Sequence, residues 1–230
     1  MKLSFVLPVL GHEPGLEGTL SHIPINKLSK KFNIEILMIW TPTKDYDDLE
    51  EMKNLTKKFN SKLIVEKRRG YGIAHRKGYE AATGDIIVAS DSDGTYPLES
   101  TDKFLEVFLK EDLDFLSINR FNSLERDSMK TTHFIGNKIL TFLVNSLLGL
   151  RIKDSQSGMW LIKKSVINDL DLREDTATLA TEMKIKPFKK LKSAETDGKY
   201  KMRMGENKLG SLRLGISQVM YIFKYFLTRR

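Results

Sequence analysis

Short apolar runs alternate with segments of helical periodicity through the first 120 residues. The apolar runs, rich in β-branched residues, occupy positions 3–7, 34–40, 62–66, 85–90 and 115–118. Between them, apolar residues recur at helical spacing over 15–31, 46–59, 73–82 and 98–110. Strands that alternate with helices of this length form βαβ units. The pattern therefore predicts an α/β protein with a mostly parallel central sheet, whose ligands bind at the carboxyl ends of the strands.

The pattern changes after residue 120. Residues 121–132 are polar and predict a loop, residues 134–148 predict an apolar helix, and residues 154–158 predict a turn before a short strand at 159–162. A helix is predicted over 177–191, with Pro187 expected to kink or end it. A basic loop follows at 200–209, and an amphipathic helix at 212–227. We therefore expect one domain over 1–210 and a basic carboxyl-terminal helix over 211–230.

Positive charge is concentrated at the carboxyl-terminal end of the chain. The 230 residues carry a net charge of +8, and residues 184–230 alone hold 13 Lys and Arg against 3 Asp and Glu. This asymmetry indicates an anionic partner: nucleic acid, phosphate groups or a membrane surface. Because no RNA-binding motif with interleaved aromatic residues is present, no nucleic acid is expected. The chain has no cysteine, which excludes disulfides, thiolate zinc sites and a cysteine nucleophile.

The strongest chemical signal is the sequence Asp91-Ser92-Asp93, which follows the apolar run at 85–90 and precedes Gly94. Two carboxylates one residue apart at the end of a buried strand are able to converge on one hard cation. Mg²⁺ and Mn²⁺ prefer oxygen ligands and share them with substrate phosphates. In this reading, Asp91 and Asp93 lie on an exposed rim and bind Mg²⁺ or Mn²⁺. The alternative is that Asp91 caps the next helix and Asp93 forms a turn with Gly94.

A glycine-rich stretch at 68–82 precedes the acid pair and contains Gly70, Gly72 and Arg76. Glycines at the start of a helix let the backbone approach a ligand closely, and the free N–H groups there favour an anion. Arg69 and Arg76 would add positive charge. The alternative is an ordinary loop and an amphipathic helix with solvated cations.

Three further segments carry polar residues that are candidates for a functional site. Asp154 opens the sequence Asp-Ser-Gln-Ser-Gly at 154–158, Glu182 lies within the predicted helix over 177–191, and Arg203 and Lys208 lie in the basic loop at 200–209. Alone, each has an ordinary interpretation as a turn, a helix surface or a solvated loop. Their joint order along the chain makes them informative.

Taken in order, these segments resemble family 2 glycosyltransferases with the glycosyltransferase A fold, of the dolichol-phosphate mannose synthase type. The matching positions are Pro8 and Glu13, the segments 70–78 and 84–97, Arg120, Ile135-Gly136-Asn137, the segment 154–158, Glu182, and the segment 203–208, with Asn207 in place of the usual serine. The resemblance spans nearly the whole chain and implies a single Rossmann-like domain that binds a nucleotide sugar.

The chain departs from the family pattern at three places. The second strand of the family usually ends in paired acids that contact the nucleotide, but no acid directly follows Trp40 here. The opening motif, from Pro8 to Glu13, has one extra residue and lacks the usual asparagine. The arginine that often precedes Ile-Gly-Asn is missing, with Lys130 and His133 nearby. Recognition of the base or ribose at the end of the second strand is therefore not predicted.

The resemblance implies a nucleotide-sugar donor and assigns roles to the matching residues. Those implied in nucleotide-sugar binding are Pro8, Glu13, Gly70, Arg76, Asp91, Ser92, Arg120, Arg203 and Lys208. Asp91 and Asp93 would hold a metal that neutralises charge on the leaving diphosphate, which makes Asp93 a catalytic candidate. The implied acceptor is a polyprenyl phosphate, which is already anionic and needs positioning more than deprotonation. For a hydroxyl acceptor, Asp154 is the first candidate base and Glu182 the second.

The apolar helix at 134–148 and the basic helix at 212–227 suit a lipid acceptor. An amphipathic helix with flanking cations lies in the membrane interface, and we expect Ile222, Phe223 and Phe226 to reach the acyl boundary. No stretch reaches the roughly 18 apolar residues of a transmembrane helix, and the apolar run at 3–7 is too short for a signal peptide. We therefore predict a cytoplasmic protein, peripheral at the inner face of the membrane. The alternative is that both helices pack on the sheet as core.

Two other functions fit parts of the sequence. A nucleotidyltransferase has a similar sheet and acids, but normally needs a glycine-rich phosphate loop after its first strand, which the segment from Pro8 to Glu13 does not supply. A catalytically impaired membrane- or nucleic-acid-binding module fits the missing acids after Trp40, but not the intact Asp91, Asp93 and Arg203. The sequence carries no signal for an oligomeric state.

Overall fold

The computed structural model describes residues 1–205 and 211–228. Within them, seven strands form one sheet: β1 (Lys2–Leu10), β2 (Asn33–Thr41), β3 (Lys62–Val65), β4 (Ile86–Ala89), β5 (Phe115–Asn119), β6 (Trp160–Lys163) and β7 (Ser193–Asp197). The strand order is β3-β2-β1-β4-β6-β5-β7. β6 is antiparallel to β4 and β5, whereas the other neighbouring strands are parallel. The predicted α/β class with a mostly parallel sheet is confirmed.

The helices of the described residues lie on both faces of the sheet. They are α1 (Leu16–Ser21), α2 (Ile25–Leu28), α3 (Leu49–Lys58), α4 (Tyr71–Ala81), α5 (Thr101–Lys110), α6 (Thr131–Leu148), α7 (Leu179–Lys190) and α8 (Ser211–Leu227), with short 3₁₀ turns at Leu98–Ser100, Lys164–Val166 and Asn168–Leu170. The single helix expected at 15–31 is wrong, because Pro24 takes a non-helical conformation between α1 and α2. Pro187 does not end α7, which continues to Lys190.

Strand β7 was not predicted. Its sequence, Ser-Ala-Glu-Thr-Asp, lacks the apolar run that marks the other strands, and its residues are half-buried or exposed. It pairs along one side with β5, at the end of the sheet order. An edge strand of this kind buries little apolar surface, so hydrophobic patterning does not reveal it.

Alternation along the strands divides the core between the two faces of the sheet. In β1, Phe5 and Leu7 point into the layer covered by α1, α2, α3 and α5, whereas Val6 points into the layer covered by α4 and α7. Side chains of a strand alternate between faces, so a strand buried on both sides reads as a continuous apolar run. This is the pattern that predicted β1, β2 and β4.

Helices α6 and α8 pack on each other and on α7 through a third apolar cluster that includes Val144, Ile185 and Ile222. Because Ile222 is fully buried there, the expectation that it reaches the acyl boundary is wrong. The two helices also expose apolar side chains, here called the α6–α8 face: Ile135, Ile139, Phe142, Ile216, Met220, Phe223, Phe226 and Leu227. Each helix thus contributes both to the core and to an apolar surface. No helix among the described residues is long and apolar enough to cross a bilayer.

Glu35 on β2 cross-links the sheet at the end opposite the carboxyl edge of the parallel strands. Its carboxylate accepts hydrogen bonds from the Ser4 hydroxyl at 2.5 Å and the Thr83 amide at 2.6 Å, and it lies 3.1 Å from the Lys2 ammonium. Burial alone would raise the pKa of Glu35, but the hydrogen bonds from Ser4, Thr83 and Lys2 outweigh it and lower the pKa to about 2. Glu35 is therefore ionised in the folded protein through most of the acid range.

This shift predicts an acid-dependent loss of stability. Because the folded pKa of Glu35 lies below the unfolded one, its contribution is present above about pH 4.5 and is lost as the pH falls towards about 2. We expect the free energy of unfolding, measured in urea between pH 5 and pH 2.5, to fall less steeply in Glu35→Gln than in the native chain. The control is Glu17→Gln, which removes an exposed carboxylate paired with Lys58. Identical pH dependence of the native chain and Glu35→Gln would contradict the prediction.

Candidate active site

A cavity of about 310 Å³ lies at the carboxyl ends of β1, β2 and β4. Its wall consists of Pro8, Val9, Leu10, Glu13, Thr41, Arg69, Gly70, Tyr71, Ala74, Asp91, Ser92, Asp93, Thr176, Ala177 and Arg203. Parallel strands bring their carboxyl ends to one edge of the sheet, so residues distant in sequence meet there. Of the residues expected in nucleotide-sugar binding, this cavity gathers Pro8, Glu13, Gly70, Asp91, Ser92 and Arg203. Lys208 lies outside the described residues.

The acid pair forms the polar floor of the cavity. Asp91 accepts a hydrogen bond from the Tyr71 hydroxyl at 2.8 Å, and Asp93 accepts hydrogen bonds from the amide and hydroxyl of Thr95 at 3.0 and 2.6 Å. The Ser92 hydroxyl donates to the Pro8 carbonyl at 2.7 Å, which fixes the turn against β1. The expectation of an exposed rim is wrong, because Asp93 is only 2% exposed.

Burial and charge repulsion act together on these two carboxyl groups. Burial, followed by the neighbouring charge of Asp93, raises the pKa of Asp91 to about 7. Gly158 packs directly on the same carboxylate, since a Cβ at this position would lie 2.6 Å from Asp91 Oδ2. The backbone of the 154–158 turn therefore closes one side of Asp91, and a side chain there would displace it.

Arg203 supplies positive charge to the pair. Its guanidinium donates to Asp93 Oδ2 and lines the cavity, with one third of its side chain exposed. The buried carboxylate favours the charged arginine, so the pKa of Arg203 is raised even though burial alone would lower it. Arg203 is thus held at the mouth of the cavity by the acid that it partly neutralises.

The chemistry of the acid pair fits a hard divalent cation. Burial is the larger cause of the raised pKa of Asp91, and the charge of Asp93 is the next. A cation bound by both carboxylates would offset this second effect, the repulsion between them. Among the described residues, no group of three or more His, Cys, Asp or Glu side chains is arranged to hold a metal. Mg²⁺ commonly takes only one or two carboxylates and completes its shell with water and substrate phosphates. The pair therefore suits a metal that arrives with a phosphorylated ligand.

Arg120 and Asp154 form a buried ion pair behind the cavity instead of lining it. Arg120 donates through Nε to Asp154 Oδ2 at 2.7 Å and through Nη2 to Oδ1 at 2.9 Å. Asp154 is fully buried, and despite that burial the charge of Arg120 lowers its pKa. Both carboxylate oxygens are thus engaged, so the structure does not place Asp154 as a general base. Arg120, expected at the donor phosphates, is 7% exposed and is directed at Asp154.

Glu182, like Asp154, is buried and bound by other protein groups. Its carboxylate accepts hydrogen bonds from the amides of Arg173 and Glu174 at 2.9–3.1 Å and pairs with Lys186 at 2.6 Å. It is 1% exposed and does not line the cavity. Glu182, the second candidate base for a hydroxyl acceptor, thus anchors a segment of chain that we call the strap, residues 173–178.

The glycine-rich start of α4 holds the strap as well. The amides of Gly72 and Ile73 donate to the Asp175 carbonyl at 2.9 and 3.3 Å, and the Arg76 guanidinium donates to the Glu174 carbonyl and the Asp175 carboxylate. These N–H groups and Arg76 were expected to meet an anionic ligand. They contact the strap instead, and Arg76 does not line the cavity. Gly70 lines it and is the part of the motif that a ligand would reach.

A substitution at Gly72 tests this close approach. A Cβ on Gly72 would lie 1.9 Å from the Glu174 carbonyl oxygen, so Gly72→Ala must displace the strap or the start of α4. We expect a loss of about 1–3 kcal/mol in the free energy of unfolding. The control is Gly136→Ala in α6, where no atom beyond the neighbouring residues and the local helix backbone lies within 4 Å of the new Cβ. A gain of up to about 1 kcal/mol is expected there. Equal unfolding free energies of the two variants would show that the approach is not restrictive.

The cavity residues that the sequence analysis did not single out include Tyr71, Thr176 and Ala177. Tyr71 stands between the two glycines of the motif, and its hydroxyl is aimed at Asp91. Thr176 and Ala177 belong to the strap, which has no motif of its own. Because Tyr71 lies between Gly70 and Gly72, its position in the glycine motif could have identified it as a cavity residue. The strap offered none, because its role follows from contacts with residues about 100 positions away.

Comparison with known proteins places the chain among glycosyltransferases. Residues 4–171 match the model of a family described as Glycosyl transferase family 2. The chain is 28% identical over 177 residues to a dolichyl-phosphate hexose transferase of Haloferax volcanii, covering 76% of each protein. It is 26% identical over 192 residues to a dolichol-phosphate mannosyltransferase of Pyrococcus furiosus, covering 81% of this chain and 53% of the relative, so it spans about half of that protein.

Solved structures with the same fold include glucosyl-3-phosphoglycerate synthase from Mycobacterium tuberculosis. Its complex with UDP superposes with a TM-score of 0.71 at 18% identity, covering 98% of this chain and 80% of that one. Its complex with Mn²⁺, UDP-glucose and glycerol 3-phosphate gives a TM-score of 0.69 at 19% identity, covering 98% and 79%. At this identity the likeness establishes the fold, and it confirms the predicted glycosyltransferase A architecture.

Proposed function

This chain belongs to glycosyl transferase family 2 and is a glycosyltransferase, and we propose that it transfers a hexose from a nucleotide sugar to a polyprenyl phosphate such as dolichyl phosphate. Family membership favours sugar transfer over nucleotidyl transfer. Two relatives are named for transfer to dolichyl phosphate, and their alignments cover 76% and 81% of this chain. The catalytic unit we propose is 1–210, with 211–230 as a helix that contacts the membrane.

The observation that carries the acceptor class is the engagement of both candidate bases. A hydroxyl acceptor must lose a proton, which calls for a base within hydrogen-bond reach. Asp154 is fully paired with Arg120, and Glu182 is bound to the strap and Lys186. A phosphate acceptor is already an anionic nucleophile and needs no such base. The arrangement therefore suits a phosphate oxygen attacking the sugar carbon as the nucleoside diphosphate leaves.

We assign the donor diphosphate to the acid-pair end of the cavity. Mg²⁺ or Mn²⁺ held by Asp91 and Asp93 would neutralise the charge that develops on the leaving diphosphate. Tyr71 orients the Asp91 carboxylate, and Ser92 fixes the turn to β1 through the Pro8 carbonyl. Arg203 at the mouth of the cavity is suited to a phosphate oxygen, because its planar fork matches phosphate geometry. Lys208, close by in sequence, is proposed to add a second cation.

The donor assignment is tested by thermal stabilisation with UDP-, GDP- and dTDP-hexoses, with and without Mg²⁺ or Mn²⁺. A ligand present at 100 times its dissociation constant adds about 2.7 kcal/mol to the free energy of unfolding. We expect one nucleotide class to stabilise the chain, and to do so more strongly with metal. The matched acceptor assay compares a polyprenyl phosphate with the corresponding polyprenol. Absence of any metal-dependent nucleotide effect, or preferential transfer to the alcohol, would overturn the proposal.

The α6–α8 face is proposed to lie on an anionic membrane at the cytoplasmic side. Phe142, Met220 and Leu227 are among its most exposed apolar side chains, each at least 66% exposed. Lys138 lies on the exposed side of α6 and Lys224 on that of α8. Apolar insertion together with cations near anionic headgroups is the mode of interfacial helices.

Vesicle binding distinguishes this face from an ordinary surface. We expect the native chain to sediment with phosphatidylglycerol vesicles and to be partly released by salt, since the electrostatic part is screened. Met220→Ser combined with Phe223→Ser should weaken binding by about tenfold or more, because two apolar insertions are lost. The control, Leu109→Ser, removes an apolar side chain that is 40% exposed on α5. Sedimentation of the double variant equal to that of the control would contradict the assignment.

A further inference from the structure

The strap forms one wall of the cavity and is held from three directions. Thr176 and Ala177 line the cavity. The start of α4 binds the Glu174–Asp175 part through Gly72 and Arg76, and Glu182 of α7 binds the strap amides at its beginning. At Ala177, the carbonyl accepts from the Ala180 amide of α7 at 3.1 Å, and a further contact comes from α8.

Gln218 makes that contact. This side chain is 2% exposed, and it lies on the inward side of α8 with Tyr221 and Ile222. Its Nε2 donates to the Ala177 carbonyl at 3.1 Å, and its Oε1 accepts from the Thr181 hydroxyl. The Thr181 hydroxyl in turn accepts from Gln156 Nε2 at 2.9 Å, within the 154–158 turn. One amide thus joins the carboxyl-terminal helix to the cavity wall and to the turn that packs on Asp91.

A buried amide is a poor choice for packing alone. Burying it without partners costs about 1–3 kcal/mol, so it is favoured only where both its donor and its acceptor are used. Methionine has a similar length and would fill the same space within the apolar cluster of α6, α7 and α8. The hydrogen bonds to Ala177 and Thr181 are what glutamine adds at this position.

We propose that Gln218 is a positioning residue that couples α8 to the donor cavity by holding the Ala177 end of the strap. Gly72, Arg76 and Glu182 fix the other end, and the Ala177 carbonyl keeps its hydrogen bond from the Ala180 amide. Loss of the Gln218 contact therefore removes the hold from α8 and loosens Thr176 and Ala177, the strap residues that line the cavity. The assignment of this cavity to the donor rests on the proposed function.

The test compares Gln218→Met with Ser217→Ala on the same helix, whose hydroxyl donates only to Leu214 within α8 among the bonds described. Amide hydrogen exchange is measured across β1 and across residues 176–180, where the amides of Leu179 and Ala180 donate to the Thr176 and Ala177 carbonyls at 3.1 Å. Exchange over 176–180 is called strap exchange. We expect Gln218→Met to speed exchange in the strap by about tenfold or more while β1 amides keep native rates, because the change is a local opening. The Ser217→Ala chain should exchange like the native one in both segments.

Ligand binding supplies the second readout. UDP and GDP are titrated with Mg²⁺ by calorimetry, and the dissociation constant of whichever binds the native chain should rise about tenfold in Gln218→Met, with a matching rise in donor KM and little change in kcat. Native strap exchange in Gln218→Met would overturn the positioning role. Rapid strap exchange with unchanged nucleotide affinity would overturn the coupling. If neither nucleotide binds the native chain, the donor assignment is what fails, and strap exchange still decides whether Gln218 holds the strap.

Discussion

Replacing Asp93 with Asn is expected to lower sugar transfer by at least about 100- to 1,000-fold, the scale of losing one charge-stabilising group in an active site. The substitution keeps an oxygen that accepts hydrogen bonds from Thr95, which holds the turn in place. It removes the negative charge that pairs with Arg203 and that the proposed metal site requires. Loss of transfer should therefore come without loss of the fold.

Two opposing changes keep the expected effect on stability small. The ion pair between Asp93 and Arg203 is lost, but the repulsion that helps raise the pKa of Asp91 is lost with it. Because Arg203 is one third exposed, we expect the loss in the free energy of unfolding to stay below the about 3–5 kcal/mol of a fully buried pair. The measurements are initial transfer rates in saturating Mg²⁺ or Mn²⁺ and urea unfolding of the same preparations.

A matched aspartate variant separates this site from general charge effects. Asp102→Asn removes a carboxylate on α5 that pairs with the exposed Lys27, and Asp102 does not line the cavity. Its transfer rate should equal that of the native chain. Native turnover in Asp93→Asn at saturating metal would exclude the acid pair from catalysis.

The fold was predictable from patterning wherever burial dominates. β1, β2 and β4 are buried on both faces and read as apolar runs, so their places and types were found. β7 was missed because it is a polar edge strand, and the break between α1 and α2 was missed although Pro24 marks it. Hydrophobic periodicity reports which residues are buried, and it is silent where an element is stabilised by backbone pairing alone.

The cavity was only partly predictable, because the sequence does not show which candidate side chains are paired with distant residues. Asp91 and Asp93 were found because a strand and a short turn place them together. Asp154 and Glu182 carry the right chemistry in the right segments, but their partners lie elsewhere in the fold. Arg120 is 34 positions from Asp154. No local sequence pattern indicates that this arginine donates hydrogen bonds to both carboxylate oxygens of Asp154. A residue type reveals what a group is able to do, and only its contacts reveal whether it is available.

The ion pair of Arg120 and Asp154 carries the largest expected effect on stability. Asp154→Asn leaves the buried guanidinium of Arg120 without its hydrogen-bonded counter-charge, with the rings of Phe121 and Tyr200 at 5.8 and 5.3 Å. Breaking a buried pair by removing one partner typically costs about 3–5 kcal/mol. We expect a loss of this size in urea unfolding at neutral pH. The surface variant Asp102→Asn should lose no more than about 1 kcal/mol.

A double variant distinguishes the cost of leaving the charge of Arg120 unpaired from the cost of altered packing. Arg120→Met with Asp154→Leu removes both charges, and replacing a buried pair by apolar groups is often neutral. The amides of residues 120 and 156, which also donate to Asp154, lose their acceptor, so part of the lost stability should return. The same series decides between the two roles of Asp154. If it is the structural partner of Arg120, the folded fraction of Asp154→Asn keeps the native pH profile of kcat. If Asp154 is a general base, the pH profile of kcat in Asp154→Asn loses the limb that reports the ionisation of Asp154. The free energy of unfolding then falls by less than the about 1 kcal/mol expected for a surface pair. Loss of that limb together with near-native stability would show that Asp154 is a general base and not the structural partner of Arg120.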